Sequence, residues 1–493
     1  MGVGTFSEFI NIKPKKGRLN KVPNKTDIPA ALSNTVFIRK CETYDREKIA
    51  EIIQEGMRKL DYVPRGKVFV KPNVVFASKV KKFGITAYTN PSVINGALTS
   101  LAGVEGVKRV DMGENTGIGV PTRLNYKNAG YYEEVKKVKK KAKVPVTLFC
   151  IDEDRRDQVF LGGVVHDNLR LARKMARADT KVYLPKLKCH NIMNMTGAVK
   201  LNIGICSDDE RAIKHDFMLS DKIVDLLTVG YPDFIIMDAI DVGVANEAIP
   251  KPRKLGLLIM GRNPMAVDLV GARLLGYNLE DVPYLQKAVE RGYAPGKLED
   301  VTIRGDINSL EELDRQAERI LPYDDEYFRW QDIQKEFDRL ETPLRFFWGS
   351  SRSDNKARCE HGCIMGLKMF LSFFDLYAGA EAYRNARPAV LVIGDVTEEI
   401  DARGHEVYLI GSCSKAPVVN ARKIVKIDKC FTTTSELNLI IGNRLGIPSP
   451  FLKPSYLTAF IFNQLIASMK KAINLRYFQD IGHFLSGALL KKI

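Results

Sequence analysis

Cationic and polar side chains follow several short apolar runs of this sequence, which are its predicted strands. They are Lys71, Asn73, Asn115, Lys186, Lys188, His190 and Lys200, joined further along the chain by His215, Asp238 and Asp268. Ligands of open parallel sheets bind beyond the carboxyl ends of the strands. A cationic crevice beside helix N-termini suits a carboxylate or a phosphate. We therefore expect an anionic small-molecule site, with Lys186, Lys188 and His190 as candidate catalytic residues and the others as substrate-binding residues.

Each of these residues also has an ordinary structural explanation. A lysine after a strand is commonly solvated, and a single histidine is more often structural than an acid or base. Asp268 is explained equally well as a first-turn acid favoured by the helix dipole. Their joint placement is what favours a site. On this hypothesis, Lys186→Met removes anion binding and leaves the melting temperature nearly unchanged.

Four of the eight cysteines lie in the last third of the chain. Cys359 and Cys363 are four residues apart in a predicted loop, and Cys413 and Cys430 each follow a predicted strand. Four thiolates around one point suit an iron–sulfur cluster, such as 4Fe-4S, or a structural zinc. The spacing is not that of a ferredoxin. Scattered buried cysteines that behave as small hydrophobes are therefore the alternative.

Strand-like and helix-like segments alternate from about residue 34 to 305. The predicted strands are Val36–Ile38, Val68–Val70, Val107–Met112, Val182–Leu184, Phe234–Met237 and Leu255–Met260. Continuous apolar runs are typical of parallel strands buried on both faces. Asn90-Pro91 and Asn263-Pro264 each combine an N-cap side chain with proline at the first helical position. The pattern predicts an α/β domain with a mainly parallel sheet flanked by helices.

The other parts of the chain are predicted from composition and charge. They are a basic N-terminal arm (1–33), a helical connector (306–355), a small Cys-containing α/β domain (356–450) and a helical tail (451–493). The small domain has predicted strands at Ala389–Ile393, Val407–Ile410 and Ile424–Ile427. The tail has apolar residues at helical spacing with lysines at its end. It suits either packing on its own domain or an interfacial membrane helix.

Composition bounds the class of protein. The chain has 493 residues, of which 45% are hydrophobic and 27% charged, and this excludes disordered, collagen-like and disulfide-dense classes. We expect no membrane-spanning segment and no signal peptide, hence a reducing cytoplasm, with peripheral membrane contact as the alternative. The net charge of +16 suits anionic partners. No nucleic-acid motif accompanies it, so nucleic-acid binding is not expected.

Six strings occur in a fixed order along the chain. They are VFVKPN, TNPSVINGAL, GENTG, LPKLKCHNIMNMTGAVKLNIGI, PDFIIMDAI and GRNPMAVDLVGARLLG. Over about residues 36–305 the sequence resembles the domain-of-unknown-function family 362, whose members are often labelled iron–sulfur-centre proteins. The resemblance implies that the listed lysines, histidines and aspartates occupy recurrent polar positions. It also favours an iron–sulfur cluster over zinc.

Three positions depart from the family pattern. Cys189 stands where threonine is usual, and Leu201 separates Lys200 from Asn202 where Lys-Asn is usual. Cys430 lies in a Lys-Cys-Phe-Thr string in place of the Gly-Cys-Pro-Pro turn that is common there. The expected function is nonetheless a redox-linked enzyme with an anionic substrate and a redox partner protein. The alternatives are a non-catalytic iron–sulfur carrier and a peripheral membrane or scaffold protein.

Overall fold

A computed structural model describes residues 33–79, 83, 85–117, 119–323, 330–351, 357–449 and 451–477. The predicted N-terminal arm, apart from Ser33, and the predicted second helix of the tail lie outside the described residues.

The strands of the large part form one ten-stranded sheet and one hairpin. They are β1 (Thr35–Lys40), β2 (Gly66–Pro72), β3 (Val107–Glu114), β4 (Val146–Cys150), β5 (Arg156–Phe160), β6 (Asn168–Ala172), β7 (Thr180–Leu184), β8 (Lys186–His190), β9 (Asn194–Thr196), β10 (Phe234–Val244), β11 (Lys251–Gly261) and β12 (Thr302–Gly305). The sheet order is β12-β1-β11-β10-β7-β2-β3-β4, with β8 paired to β10 and β9 to β8, while β5 and β6 form the hairpin. Pairing is parallel except for β1–β11, β10–β11 and β8–β9. The predicted α/β class with a mainly parallel sheet is confirmed.

Helices cover both faces of this sheet. The helices on each face and the strands pack together in one apolar cluster for that face. The helices are α1 (Arg46–Lys59), α2 (Pro91–Ala102), α3 (Thr122–Asn128), α4 (Tyr131–Lys141), α5 (Arg173–Ala176), α6 (Asp208–Ala212), α7 (Leu219–Gly230), α8 (Pro264–Leu274), α9 (Pro283–Glu290) and α10 (Leu310–Ala317). The two predicted helix starts are confirmed. Asn90 caps α2 by accepting a hydrogen bond from the Ser92 amide, and Asn263 caps α8 through the Met265 amide.

All six predicted strands of the large part lie within observed strands. The sequence patterns did not identify β8, where Lys186, Lys188 and His190 were expected in a loop. Because side chains alternate along a strand, these three share one face of β8, while Leu187 and Cys189 point into the apolar core. The polar face of β8 is stabilised by tertiary partners, which a hydrophobicity pattern does not contain.

A second sheet is entirely parallel, with the order β13-β14-β16-β18. Its part of the chain contains β13 (Leu344–Trp348), β14 (Ala389–Ile393), β15 (Ile400–Asp401), β16 (Glu406–Ile410), β17 (Val418–Val419) and β18 (Lys423–Ile427), with helices α11 (Ile333–Arg339), α12 (Cys363–Ala378), α13 (Ala380–Arg384), α14 (Thr434–Leu437) and α15 (Pro454–Ile473). The three strands predicted here are confirmed. β13 falls inside the predicted helical connector, because its aromatic residues pair with β14 rather than continue a helix.

The two parts of the chain share an apolar cluster. Phe76 and Phe83, from the loop after β2, belong to the same apolar cluster as α12 and β14. The Phe373 ring of α12 lies 5.0 Å from Phe76 and 5.3 Å from Phe83. The structure therefore does not set the Cys-containing part apart as a separate domain. Among the helices of the described residues, none is long and apolar enough to cross a bilayer.

Candidate functional site

A small cavity of about 70 Å³ lies at the carboxyl ends of β2, β3 and β7. Its polar lining comprises Lys71, Asn73, Glu114, Asn115, Thr116, Lys186, Thr196, Lys200 and Arg211. Five of the predicted site residues thus meet in one place, namely Lys71, Asn73, Asn115, Lys186 and Lys200. The volume suits a few waters or the head group of a small anion.

Lys71 and Glu114 form a buried ion pair at the floor of the cavity. Lys71 also donates a hydrogen bond to the Pro72 carbonyl at 3.1 Å, and Glu114 accepts one from the Asn115 amide at 3.0 Å. Burial lowers the pKa of Lys71, and burial raises the pKa of Glu114 to about 7 against the opposing effect of Lys71. Gly204 packs on this pair so closely that a methyl group there would overlap the Glu114 carboxylate.

Lys186 belongs to a second buried ion pair. Its Nζ lies 2.9 Å from Asp238 Oδ2 and donates a hydrogen bond to the Tyr44 hydroxyl at 3.0 Å. Asp238 also accepts hydrogen bonds from that hydroxyl and from the Asn90 amide at the start of α2. In contrast to the expectation from the sequence, the structure predicts that Lys186→Met lowers the stability, since the change would leave a fully buried carboxylate without its cation.

Lys188 and His190 are not among the residues that line the cavity. Lys188 Nζ donates hydrogen bonds to the carbonyls of Ala87 (2.9 Å) and Glu247 (2.5 Å), and burial lowers its pKa to about 7. The two residues continue the polar face of β8 away from Lys186 and towards Glu247.

His190 has one ring nitrogen engaged by the backbone. Its Nδ1 accepts hydrogen bonds from the amides of Ile192 (3.2 Å) and Met193 (3.4 Å), so the proton is on Nε2, 3.8 Å from Glu247 Oε1. Burial, with the nearby Lys200 and Lys188 charges, holds the pKa of His190 well below its usual range. A neutral ring in this tautomer is suited to donating a hydrogen bond and not to abstracting a proton.

Lys200 and Arg211 form no ion pair with a carboxylate within the described residues, and Glu247 acts on Lys200 only electrostatically. Within the described residues the Lys200 ammonium has no hydrogen bond or ion pair, and burial lowers its pKa to about 8. Arg211 is buried and donates hydrogen bonds to the carbonyls of Thr116 (2.5 Å) and Asn115 (2.6 Å), while its Nε has no partner in the part of the chain that is described. Sequence reasoning missed Arg211 and Glu114. Glu114 stands in the quoted GENTG string, but no motif marks Arg211.

Three of the predicted binding residues instead hold the cavity wall in place. Asn73 donates a hydrogen bond to the Ala87 carbonyl, and Asn115 donates to Cys206 O and Asp208 Oδ1. Asp268 is buried outside the cavity, where it accepts the amides of Ala198 (2.6 Å) and Val199 (3.0 Å). Burial raises the pKa of Asp268 to about 7. Asp268 thus anchors the turn that presents Lys200.

His215 lies between the cavity and the cysteines. Its Nδ1 is 3.2 Å from the Arg211 carbonyl and 3.2 Å from Lys222 Nζ. Its ring packs on Phe431 with centroids 4.7 Å apart, next to Cys430. Burial, with the Lys222 and Lys200 charges, holds the pKa of His215 well below its usual range. His215 is not among the residues that line the cavity, and its predicted binding role stays a prediction.

The four predicted metal ligands gather at the carboxyl end of the second sheet. Cys363 begins α12, Cys359 precedes it, and Cys413 and Cys430 follow β16 and β18. All four are free thiols, and the Cys430 side chain is the exposed one. Cys363 interacts electrostatically with Cys413 and Cys430, and Cys359 with Cys363 and Cys430. The three loops therefore lie near one another, while a common centre for the four sulfurs stays a prediction.

The geometry of these thiols bears on which metal they suit. Within the described residues, no three His, Cys, Asp or Glu side chains have the arrangement needed to hold a metal ion. A tetrahedral zinc would need thiolates about 3.8 Å apart. Cys363 Sγ additionally accepts a hydrogen bond from the Thr432 amide at 3.3 Å, which is a common tuning contact of cluster ligands.

Two comparisons with known proteins found similarity to parts of this chain. The DUF362 family, a domain of unknown function, matches residues 68–273, which include every residue that lines the cavity. A thylakoid-associated protein of Synechocystis sp. is 25% identical over 239 residues, which are 47% of this chain and 70% of that protein. The predicted resemblance to the family is thus confirmed for residues 68–273. The four clustered cysteines lie outside this range.

Proposed function

We propose that this chain is an enzyme that binds the anionic group of a small carboxylate or phosphate compound in the cavity between Lys71, Lys200 and Arg211. The observation that carries the proposal is that two cations lining the cavity, Lys200 and Arg211, form no ion pair within the described residues, although Glu247 acts on Lys200 electrostatically. A charge withdrawn from water is costly unless it is paired. A bound anion would supply the missing partner.

Charge balance in the cavity favours one anionic group. Lys71 is compensated by Glu114 and Lys186 by Asp238, which leaves Lys200 and Arg211 to attract a ligand. The cavity is far smaller than the several hundred cubic ångströms that drug-sized ligands occupy. The anionic group would therefore enter, and the rest of the molecule would remain outside.

Glu114 is the residue best suited to move a proton in this site. It lines the cavity, and its pKa of about 7 allows both protonation states near neutral pH. His190, whose Nε2–H faces Glu247, acts in this proposal through hydrogen bonding. We assign it no proton abstraction.

We also propose that Cys359, Cys363, Cys413 and Cys430 hold an iron–sulfur cluster. When bound, such a cluster supplies one-electron chemistry. This chain would contribute the four thiolates, the Thr432 amide that donates to Cys363 Sγ, and the Phe431 ring that separates Cys430 from His215. The reaction at the cavity would then be redox-linked.

The anion site is tested by titrating the full-length protein with sulfate and with succinate, followed by calorimetry. Lys200→Met is expected to weaken binding at least about tenfold, because it removes a partly desolvated charge. Lys136→Met, on the exposed face of α4, makes the same charge change away from the cavity and should bind as the wild type does. Equal affinities for wild type and Lys200→Met would exclude the site.

The cluster is tested by anaerobic purification, a visible absorption spectrum, and iron, sulfide and zinc counts. A broad brown band that is lost in Cys363→Ser and kept in Cys41→Ser would support the proposal. Cys41 is a buried thiol in the large part of the chain and serves as the matched control. Stoichiometric zinc without sulfide would contradict the cluster and would indicate a structural zinc ion.

A second candidate function is a non-catalytic electron carrier. It is favoured by the exposure of Cys430, which would give a redox partner protein access to the thiol end of the second sheet. A carrier does not need the cavity. Lys200→Met would leave reduction of an artificial electron acceptor unchanged in a carrier, whereas an enzyme would lose turnover of its substrate.

We further infer a location at the cytoplasmic periphery of a membrane. Eight free thiols support a reducing compartment, and the relative from Synechocystis sp. is described as thylakoid-associated. Fractionation of the native cells, with salt washes of the membrane pellet, tests the location.

A further inference from the structure

The long helix α15 docks on the protein through a mixed face, on which the partly buried Tyr456 and Phe460 precede several polar residues. Asn463, Ala467, Lys471 and Asn474 recur at helical spacing on the side that is turned inwards. Asn474 donates a hydrogen bond to the Glu153 carbonyl at 2.8 Å, and Lys471 Nζ lies 3.5 Å from Asp152. Polar anchors therefore fix the orientation of the helix.

The opposite face of α15 exposes its most apolar residues. Ile461, Phe462, Leu465, Met469 and Ile473 are 56, 62, 59, 64 and 65% exposed. A surface helix normally buries its apolar stripe and exposes its polar one. On α15 a contiguous apolar stripe is exposed, and a stripe of this kind marks an interaction surface.

Charge indicates what covers this face. Residues 451–477 contain Lys453, Lys470, Lys471 and Arg476 and no aspartate or glutamate. Lys453 is exposed immediately before the helix, and Lys470 is exposed in its last turn. An apolar face with lysines at its ends matches the two layers of an anionic lipid surface, acyl chains and acidic head groups.

We propose that α15 is an interfacial helix that lays this apolar face on an anionic bilayer. The helix lies in the plane of the membrane, because its other face is bound to Asp152 and Glu153 of the same molecule. This inference deepens the proposed peripheral location, and it does not depend on the cavity or the cysteines.

The test is co-sedimentation of the full chain with vesicles of phosphatidylcholine, with and without phosphatidylglycerol. The wild type should bind the anionic vesicles. The triple variant F462S/L465S/M469S should bind them at least about tenfold more weakly, since it removes the inserted apolar area. The double variant K453E/K470E should bind more weakly than the wild type. The difference should be largest at low salt, where electrostatic attraction to the anionic lipids is least screened.

Matched controls keep the result unambiguous. Ile424 and Leu439 are also exposed, at 50 and 70%, but lie elsewhere, so I424S/L439S should bind as the wild type does. Lys200→Met should also bind vesicles normally, which separates this proposal from the anion site.

Three results would overturn the proposal. The first is a wild type that binds neither kind of vesicle. The second is a triple variant that binds as tightly as the wild type. The third is a wild-type dimer in light scattering that the triple variant converts to a monomer without any vesicle binding. This last result would assign the face to a second copy of the chain.

Discussion

Four lysines near the cavity have three kinds of environment. Lys71 and Lys186 are each paired with a buried carboxylate, Lys188 is bonded to two carbonyls, and Lys200 has no partner within the described residues. Their sequence contexts are similar. The environment therefore decides which lysine stabilises the fold and which is available to a ligand.

This difference predicts opposite phenotypes for two equivalent substitutions. Lys186→Met should reduce the free energy of unfolding by about 3–5 kcal/mol, because it leaves Asp238 charged and buried. Lys200→Met should change it by less than about 1 kcal/mol, because no ion pair is lost. Urea denaturation of both variants measures these changes. The double variant K186M/D238N should recover part of the loss, and a double variant no more stable than Lys186→Met would contradict the explanation.

The affinity for an anion should depend on pH through Lys200. Its pKa of about 8 means that the ammonium is charged below that pH and is lost as the pH rises through it. Sulfate keeps its charge over this range, so its affinity should fall by up to about tenfold per pH unit between about pH 8 and pH 9.5. Calorimetry of wild type and Lys200→Met measures the difference. If the sulfate affinity of the wild type falls with pH no more steeply than that of the variant, a group other than Lys200 causes the pH dependence.

Sequence reasoning located the cavity but not the roles of its residues. The positions of Lys71 and Lys200 after strands predicted their meeting at one sheet edge. The partner of each side chain is set by tertiary contacts, such as that between Lys71 and Glu114, which are 43 positions apart. Arg211 enters from a short helix that carries no recognisable motif.

At the scale of elements, the conformation of the turn Lys200–Ile205 depends on the close contact of its backbone with a buried ion pair. Gly204 packs against the Lys71–Glu114 pair, and Asp268 anchors the residues before Lys200. This short 3₁₀ segment therefore fixes one wall of the cavity.

Gly204→Ala should be strongly destabilising, by about 3 kcal/mol or more, because the added methyl group displaces a buried ion pair. Gly103→Ala is the matched control. Gly103 ends α2 in a right-handed helical conformation and meets only ordinary contacts, so its variant should be neutral or slightly stabilised. Thermal unfolding of both variants measures the effect. If Gly204→Ala and Gly103→Ala have similar melting temperatures, the cavity wall can accommodate the added methyl group.

Element boundaries were predictable where local pattern and burial agree. The apolar strands β2, β7 and β10 and the capped helices α2 and α8 follow from their own residues. Strand β8 does not, because its lysines are stabilised by partners from β10 and the loops around it. Strand β13 lies in a charged stretch, and its pairing with β14 decides its conformation.

At the scale of the whole molecule, the shared aromatic cluster should join the two sheets in one unfolding unit. Phe373→Ala should cost about 3–5 kcal/mol and destabilise both sheets. The two tryptophans, Trp330 and Trp348, lie in the second part of the chain, so their fluorescence follows that part while far-UV circular dichroism follows the whole. Coincident urea transitions are expected.

Phe160→Ala, at a half-exposed ring of the β5–β6 hairpin, is the control and should be close to neutral. Two separated transitions in the wild type would show that the sheets unfold independently.

Composition predicted the boundary near residue 356 from the cysteines. It contained no sign of the contact between Phe76 and Phe373.

Arg211 contacts both the cavity and the residues that lie next to the cysteines. Its guanidinium lines the cavity, and its carbonyl accepts a hydrogen bond from Lys222 and lies beside His215, whose ring rests on Phe431 next to Cys430. Thermodynamic linkage makes such a relation reciprocal. If filling the cavity changes the midpoint potential or metal affinity of the thiol end, then the state of that end changes the affinity for the anion by the same factor.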